Sequence, residues 1–140
     1  MIRWIVIAAG ILGAVGVMIG AYGAHGLEKS LAEQNLASDE VAKKLAQCET
    51  AVRYHMVHVL ALLSIGLSAG ACRKKRTFAS IFFLLGITLF SGGLYSMVFA
   101  DQIGHWAIVP SGGLCFMVAW ISVILFAFGG REGASPTTSS

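Results

Sequence analysis

The chain of 140 residues has the length of a single domain. Hydrophobic residues make up 56% of it and charged residues only 12%, whereas a water-soluble domain carries about 25% charged residues. This composition excludes an ordinary soluble domain and indicates an integral membrane protein. The net charge of +3 does not indicate nucleic-acid binding, because the basic residues are scattered apart from one turn and have no interleaved aromatic residues.

Four long windows contain no Lys, Arg, Asp or Glu: 4–27, 54–72, 77–100 and 102–130. A helix needs roughly 20 residues to cross the hydrocarbon of a bilayer, so each window is long enough for one span. We therefore predict an all-α transmembrane four-helix bundle in residues 1–130. Its spans are expected at about 4–25, 51–72, 77–100 and 108–128. The remaining segment, 131–140, is rich in Ser and Thr and is expected to be a disordered cytoplasmic tail.

Small residues recur in the first span and in the outer halves of the third and fourth. In the first span the glycines fall on one arc of roughly 140° and include a Gly-x-x-x-Gly spacing, which lets membrane helices approach closely. We interpret this stripe as packing inside the bundle, with a homodimer seam as the alternative. The residues expected to permit close packing are Gly13, Gly16, Gly20, Gly23, Gly92, Gly93, Gly112 and Gly113.

The connection between the first two spans contains an amphipathic pattern. Val41, Leu45, Cys48 and Val52 form one apolar stripe, which predicts an outer helix. Residues 38–65 contain no Gly or Pro. Continuity of this helix with the second span is therefore favoured over a separate helix lying on the membrane surface.

The basic turn Arg73, Lys74, Lys75 and Arg76 predicts the orientation of the chain. With four spans, both termini and this turn share one side, which holds six basic residues and one acidic residue. The opposite side holds four basic and six acidic residues. Because loops rich in Lys and Arg stay in the cytoplasm, we expect both termini to be cytoplasmic. We interpret the turn as a topology anchor, with binding of anionic lipid headgroups as the alternative.

Polar side chains gather towards the other, outer end of the predicted bundle. His58 lies about 7 Å deeper than Arg53 along the helix axis, so it is an ionisable residue inside the membrane, where such groups are costly. The leading candidates for a polar network or ligand site are His25, Tyr54, His58, Ser91 and Tyr95. Secondary candidates are His55, Asp101 and His105.

Three interpretations of these residues remain open. The first is a hydrogen-bond network that pins helix ends together. The second is a metal or b-type haem site, since imidazole is a common ligand of zinc, copper and haem iron. The third is a path for protons or small molecules, as in a minimal transporter, although the spans lack Asp and Glu at mid-depth. Without further evidence no cofactor is expected.

An enzyme is not expected. The sequence contains no Gly-x-Ser-x-Gly, no His-Glu-x-x-His and no glycine-rich phosphate loop. The leading hypothesis is a non-enzymatic accessory or structural subunit. Its expected partners are membrane lipid and either further copies of the chain or a larger membrane complex.

Four segments together resemble a known family. They are GAYGAHGL at 20–27, YHMVHVLA at 54–61, LFSGGLY at 89–95, and PSGG at 110–113 followed by Phe116 and Trp120. Their order and spacing resemble the YgdD-like family, number 423 of the domains of unknown function, which implies a four-span protein of the bacterial inner membrane but no mechanism.

The family pattern also bears on individual residues. It implies shared positions at His25, Tyr54, His58, Ser91, Gly92, Tyr95, Pro110, Gly112 and Gly113. Members usually have Gln where this chain has His55, which weakens a ligand role for His55 and favours His25 and His58.

Overall fold

The computed structural model describes residues 1–34, 36–69, 72–100 and 107–127. Within these ranges every regular element is a helix. Four helices are long and apolar enough to cross a membrane: Arg3–His25, Ser38–Leu67, Arg73–Phe99 and Ile108–Phe126. The predicted all-α fold with four spans is therefore confirmed. The predicted tail at 131–140 lies outside the described residues.

The helices are numbered in chain order. They are α1 (Arg3–His25), the short α2 (Leu27–Ala32), α3 (Ser38–Leu67), α4 (Arg73–Gly86), α5 (Gly92–Phe99) and α6 (Ile108–Ala127). A π-helical turn, Ile87–Ser91, joins α4 to α5, so these three segments form one long helix. This long helix packs against both α3 and α6, and α1 packs along the opposite side of α3.

One apolar core runs through all four long helices. Its fully buried members include Ile5 of α1, Leu62 of α3, Phe83 of α4 and Ala119 of α6, each 0% exposed. The outward surface is also apolar, and the side chains of Ile7 and Ile11 are each 61% exposed. A contiguous exposed apolar surface is unusual for a protein in water but is what a lipid-facing helix requires.

The glycine stripe of α1 faces α3. Cβ atoms built on Gly13, Gly16, Gly20 and Gly23 would each lie within van der Waals range of an α3 side chain. The tightest approach is at Gly16, whose added Cβ would be 2.5 Å from Sδ of Met56. This is the geometry of packing within one chain, because the small residues let α1 approach α3 closely.

Helix α3 is continuous from Ser38 to Leu67, as the lack of Gly and Pro favoured. Its first turns extend beyond the predicted second span and carry the amphipathic stripe. The short α2, which the sequence analysis missed, covers that stripe. Leu27 and Leu31 of α2 pack with Cys48 of α3 and Val98 of α5 in a second, smaller core.

The basic turn differs from expectation. Helix α3 ends at Leu67 and α4 begins at Arg73, so 73–76 is the first helical turn of the third span and not part of a connection. Arg73, Lys74 and Lys75 are exposed, but Arg76 is only 5% exposed. The sequence does not distinguish the four cations from one another. In the structure, the start of the helix at Arg73 places the side chain of Arg76 on the buried side of α4.

The π-helical turn sets the rotation of α5. Twelve positions separate Phe83 from Tyr95, which would place them about 120° apart around an uninterrupted α-helix. A π turn holds one extra residue, which reduces that difference to about 20°. Both side chains therefore face α3. Phe83 contacts the ring of His58, and the hydroxyl of Tyr95 contacts His55.

Candidate functional site

The candidate site is built on two histidines of α3. His55 and His58 lie three residues apart, so both project from nearly the same side of the helix. They are 2% and 5% exposed. Buried imidazoles need hydrogen-bond partners from the protein, because no water is available to them inside a membrane protein. The identity of those partners determines what chemistry each ring can perform.

Both ring nitrogens of His58 are engaged. Its Nδ1 lies 2.6 Å from the backbone oxygen of Tyr54, and the indole Nε1–H of Trp120 donates to its Nε2 across 3.2 Å. A carbonyl oxygen can only accept and an indole N–H can only donate. These partners therefore assign the proton to Nδ1 and require a neutral imidazole, since a protonated Nε2 would face another donor.

Aromatic rings enclose His58. Its ring stacks on Phe116 of α6, with centroids 3.5 Å apart and planes inclined by 7°. Phe83 of the third long helix lies 5.7 Å away between ring centroids. These contacts fix the imidazole plane, so the orientation that meets Trp120 is held by packing as well as by hydrogen bonds.

His55 is only partly satisfied. Its Nδ1 lies 3.2 Å from the hydroxyl of Tyr95. The other edge of the ring faces α1, where Cδ2 is 3.6 Å from the Cβ position of Gly16. Nε2 is buried and has no hydrogen-bond partner within the described part of the chain. The sequence analysis ranked His55 below His25, but in the structure His55 is the residue that belongs to the buried cluster.

The remaining leading candidates have different environments. Tyr54 is 43% exposed, with its ring 4.7 Å from that of Phe90 between centroids. Ser91 closes the π turn and is fully buried, and its Oγ has no partner among the described residues. Ser91 lies four residues from both Ile87 and Tyr95, on the side of its helix that meets α3.

His25 does not join the cluster. It is the last residue of α1 and is exposed, and its side chain makes no hydrogen bond to the described residues. Asp101 and His105 lie outside the described residues. Of the residues predicted to converge, the described structure therefore brings together the side chains of His55, His58 and Tyr95 and the backbone of Tyr54.

Trp120 is the site residue that sequence reasoning missed. The sequence analysis named it only as part of the fourth family segment, yet its indole is the donor that satisfies His58. A usable signal was present, because a buried indole N–H needs an acceptor and His58 was the one ionisable group predicted at depth.

A separate groove opens between α1 and α3 nearer their outer ends. Its volume is about 510 Å³, and Gly20, Gly23, Ala46 and Cys48 contribute to its largely apolar lining. Arg53 also lines it and forms an i,i+4 ion pair with Glu49. His25, His55 and His58 do not line this groove, so the histidines do not form an open vestibule there.

The donor set does not form a metal centre. No group of three or more His, Cys, Asp or Glu side chains comes together within the described residues. Both nitrogens of His58 already have partners, which leaves Nε2 of His55 as the one imidazole nitrogen of the buried pair without a partner in these ranges. Among the described residues, that single nitrogen is fewer ligands than zinc or the two axial positions of a b-type haem require; Asp101 and His105 lie outside these residues.

A family model described as "Protein of unknown function (DUF423)" matches residues 19–113. The chain belongs to this family. The match spans the candidate histidines, the π turn and the start of α6, and it confirms the resemblance found in the sequence.

Named relatives agree with a membrane setting. The chain is 37% identical to a UPF0382 membrane protein of Haemophilus influenzae, over 80% of this chain and 83% of the relative. It is 36% identical to a UPF0382 membrane protein of Staphylococcus saprophyticus, over 84% and 94%. It is 33% identical to the UPF0382 inner membrane protein YgdD of Escherichia coli, over 89% of each. No solved structure matches the chain.

Proposed function

We propose that this family member is a non-enzymatic accessory or structural subunit of the bacterial inner membrane, working in a homo-oligomer or a larger membrane complex. One observation carries the proposal. His58, the ionisable residue that the sequence places inside the membrane, has both nitrogens engaged by partners on α3 and α6. Such a histidine joins helices and has no nitrogen left for a substrate or an ion.

The alternatives to this function are less well supported. A proton path through His58 would require its Nε2 to gain a proton, but that nitrogen faces the N–H of Trp120. General acid–base catalysis would require a group within reach of a substrate proton, and His58 is enclosed by aromatic rings. Interhelical hydrogen bonds in membranes are worth about 0.6 kcal/mol on average, which suits a structural role.

The first experiment distinguishes a structural histidine from a cofactor ligand. The protein, purified in mild detergent, is examined by metal analysis and by UV–visible spectroscopy beside His58→Ala. The proposal expects neither stoichiometric metal nor a haem Soret band, and a mutant that is less stable. A metal or Soret band that disappears in His58→Ala would replace the structural role with cofactor binding.

A second experiment tests the accessory role directly. Native membranes are treated with a short amine- or photo-reactive crosslinker, and the chain is isolated under denaturing conditions and its adducts are identified by mass spectrometry. The proposal expects a reproducible adduct, either with itself or with another membrane protein. Recovery of the chain as a monomer, under conditions that crosslink a known membrane oligomer, would contradict it.

We propose the same membrane and orientation as the charge pattern predicts, with both termini in the cytoplasm. The support is the excess of basic residues at the end where α1 and α4 begin and the printed name of the Escherichia coli relative as an inner membrane protein.

Cysteine labelling in intact cells tests this orientation on the full chain. Cys72 is exposed at the basic end, and Ser38, exposed at the start of α3, supplies the other end as Ser38→Cys. With the other cysteines replaced by serine, an impermeant maleimide should label Ser38→Cys and spare Cys72. The reverse pattern would invert the orientation.

A further inference from the structure

A cavity of about 520 Å³ lies at the end of the bundle where α1 and α4 begin. Its described lining residues are Met1, Ile2, Arg3, Trp4, Arg73 and Arg76. Half of them are arginines and none is acidic. His25, His55 and His58 do not line it, so this cavity is separate from the polar cluster.

Among the described residues, none supplies a counter-charge to the arginines of this cavity. Arg3 and Arg73 are exposed and make no hydrogen bond or ion pair to the described part of the chain. Arg76 is 5% exposed, and its Nε and Nη2 donate to the carbonyl oxygens of Ile65 and Gly66. Its Nη1 donates to no described residue. Three guanidinium groups therefore share one cavity, and the described residues around them offer only neutral acceptors.

The helix termini add to the positive potential. The N-terminus of a helix carries a partial positive charge that favours anions and disfavours cations. Neither α1 nor α4 has a side-chain cap or an acidic residue in its first turn. Helix α4 instead places four cations there, including Arg73 and Arg76. A bound anion would offset the repulsion between these cations and the helix N-termini. Phosphate binds well both to guanidinium groups and to helix N-termini.

The surface beside the cavity indicates the source of that phosphate. Trp4, Ile7 and Ile11 follow one another at helical spacing on a single face of α1. They are 38%, 61% and 61% exposed. An exposed indole suits the membrane–water interface, and the isoleucines continue from it along the helix as an apolar track of the kind that acyl chains cover.

We propose that this cavity binds the phosphate of an anionic phospholipid, with the acyl chains lying along the Trp4–Ile11 face of α1. Arg3 and Arg73 would contact the phosphate, and Arg76 would support it while holding the end of α3. The inference goes beyond the proposed function, and it holds for either orientation of the chain in the membrane.

Native mass spectrometry in mild detergent tests the proposal. The probes are phosphatidylglycerol and phosphatidylcholine with identical acyl chains, supplied together so that they compete. Detergent is used because lipids dissolved in it form no bilayer and therefore exert no surface potential. We expect the wild type to retain one phosphatidylglycerol in preference. The double variant Arg3→Gln/Arg73→Gln should bind it more weakly by up to about 30-fold, as the loss of two exposed ion pairs to the phosphate implies.

A matched control comes from the same basic turn. Lys74 and Lys75 line a different, apolar cavity near Ser122 and Phe126. The double variant Lys74→Gln/Lys75→Gln removes the same net charge, so it should bind phosphatidylglycerol almost as the wild type does. Circular dichroism should show both variants folded, because none of the four side chains makes a hydrogen bond to the described residues.

Each other result would overturn the proposal. Equal weakening in both double variants would mean a diffuse cationic surface. If the wild type does not prefer phosphatidylglycerol, the cavity is not a site for an anionic phospholipid. This comparison needs only the wild-type protein. Displacement of the lipid by inorganic phosphate or glycerol 3-phosphate at millimolar concentration would assign the cavity to a soluble phosphate.

Discussion

The indole N–H of Trp120 donates to Nε2 of His58 across 3.2 Å. This bond joins α6 directly to α3, two helices that both pack on the third long helix. It therefore closes a triangle of helices through side chains, with the rings of Phe83 and Phe116 packed against the same imidazole.

Trp120→Phe should destabilise the protein while preserving its packing. The substitution keeps an aromatic ring but removes the indole N–H that donates to His58, so a buried nitrogen loses that partner. We expect a loss of about 0.6 to about 1.7 kcal/mol, the range measured for interhelical hydrogen bonds in membranes. The measurement is unfolding by sodium dodecyl sulfate titration, followed by circular dichroism.

A double-mutant cycle isolates the bond. In a His58→Phe background the acceptor is already absent, so Trp120→Phe should change stability by much less than it does in the wild type. Equal losses in the two backgrounds would show that the indole contributes through its size alone.

Arg76→Ala should cost more stability than Arg73→Ala, although both residues belong to the first turn of α4. Arg76 is buried and donates to the last carbonyls of α3, whereas Arg73 is exposed. Hydrogen bonds to a charged group contribute about 1.5–3 kcal/mol, so we expect a loss of at least about 1.5 kcal/mol for Arg76→Ala and little change for Arg73→Ala in lipid-free detergent.

Arg76→Lys separates geometry from charge. Lysine keeps the positive charge but lacks the planar fork that reaches two carbonyls at once. The stability of Arg76→Lys should fall between that of the wild type and that of Arg76→Ala when all three proteins are compared by thermal unfolding in one detergent. Full recovery with lysine would show that the charge alone matters at this position.

The four spans could be read from the sequence because bilayer thickness fixes how long an uncharged segment must be. The continuity of α3 was also predictable, since its only requirement was the absence of Gly and Pro between 38 and 65. The i,i+4 ion pair of Glu49 and Arg53 follows from helical spacing alone. These features depend on local rules.

The site was less predictable because it depends on helix rotation. Nothing in the composition of 87–91 predicts a π turn, yet that turn brings Tyr95 to His55. A wheel drawn for α3 could place His55 and His58 on one arc but could not show that Trp120 of another helix meets one of them. Likewise, only the start of α4 at Arg73 turns Arg76 towards the end of α3.

Gly112→Ala should destabilise the protein strongly, whereas Gly113→Ala should not. A Cβ on Gly112 would collide with the backbone of Phe90, which cannot move without separating α6 from the third long helix. A Cβ on Gly113 would lie 4.0 Å from Cδ2 of Phe90, an ordinary contact. We expect a cost of about 1–3 kcal/mol at 112 and a neutral change or a gain of up to about 1 kcal/mol at 113, where alanine favours the helix.

Thermal unfolding of the two glycine variants in one detergent makes the comparison, because they differ by a single position in the same helix. Similar stabilities for the two variants would mean that α6 does not approach the third helix as closely at Gly112 as the structure has it.

Gly23→Cys should form a disulfide with the native Cys48 inside one chain. A Cβ on Gly23 would lie 3.0 Å from Sγ of Cys48, and in a disulfide each Cβ lies about 3 Å from the far sulfur. With Cys72 and Cys115 replaced by serine, mild oxidation should give a monomer that has lost two hydrogens, measured by intact mass spectrometry, and a changed mobility on non-reducing gels.

The same variant decides between the two interpretations of the glycine stripe. If α1 packs on α3 of its own chain, the bond is intramolecular and its yield does not depend on protein concentration. If the stripe were a homodimer seam, Gly23→Cys would give covalent dimers through two copies of residue 23. Ala21→Cys is the matched control. Ala21 is exposed on α1, does not line the groove that Cys48 lines, and is rotated by about 160° from Gly23, so this variant should leave the monomer largely uncrosslinked.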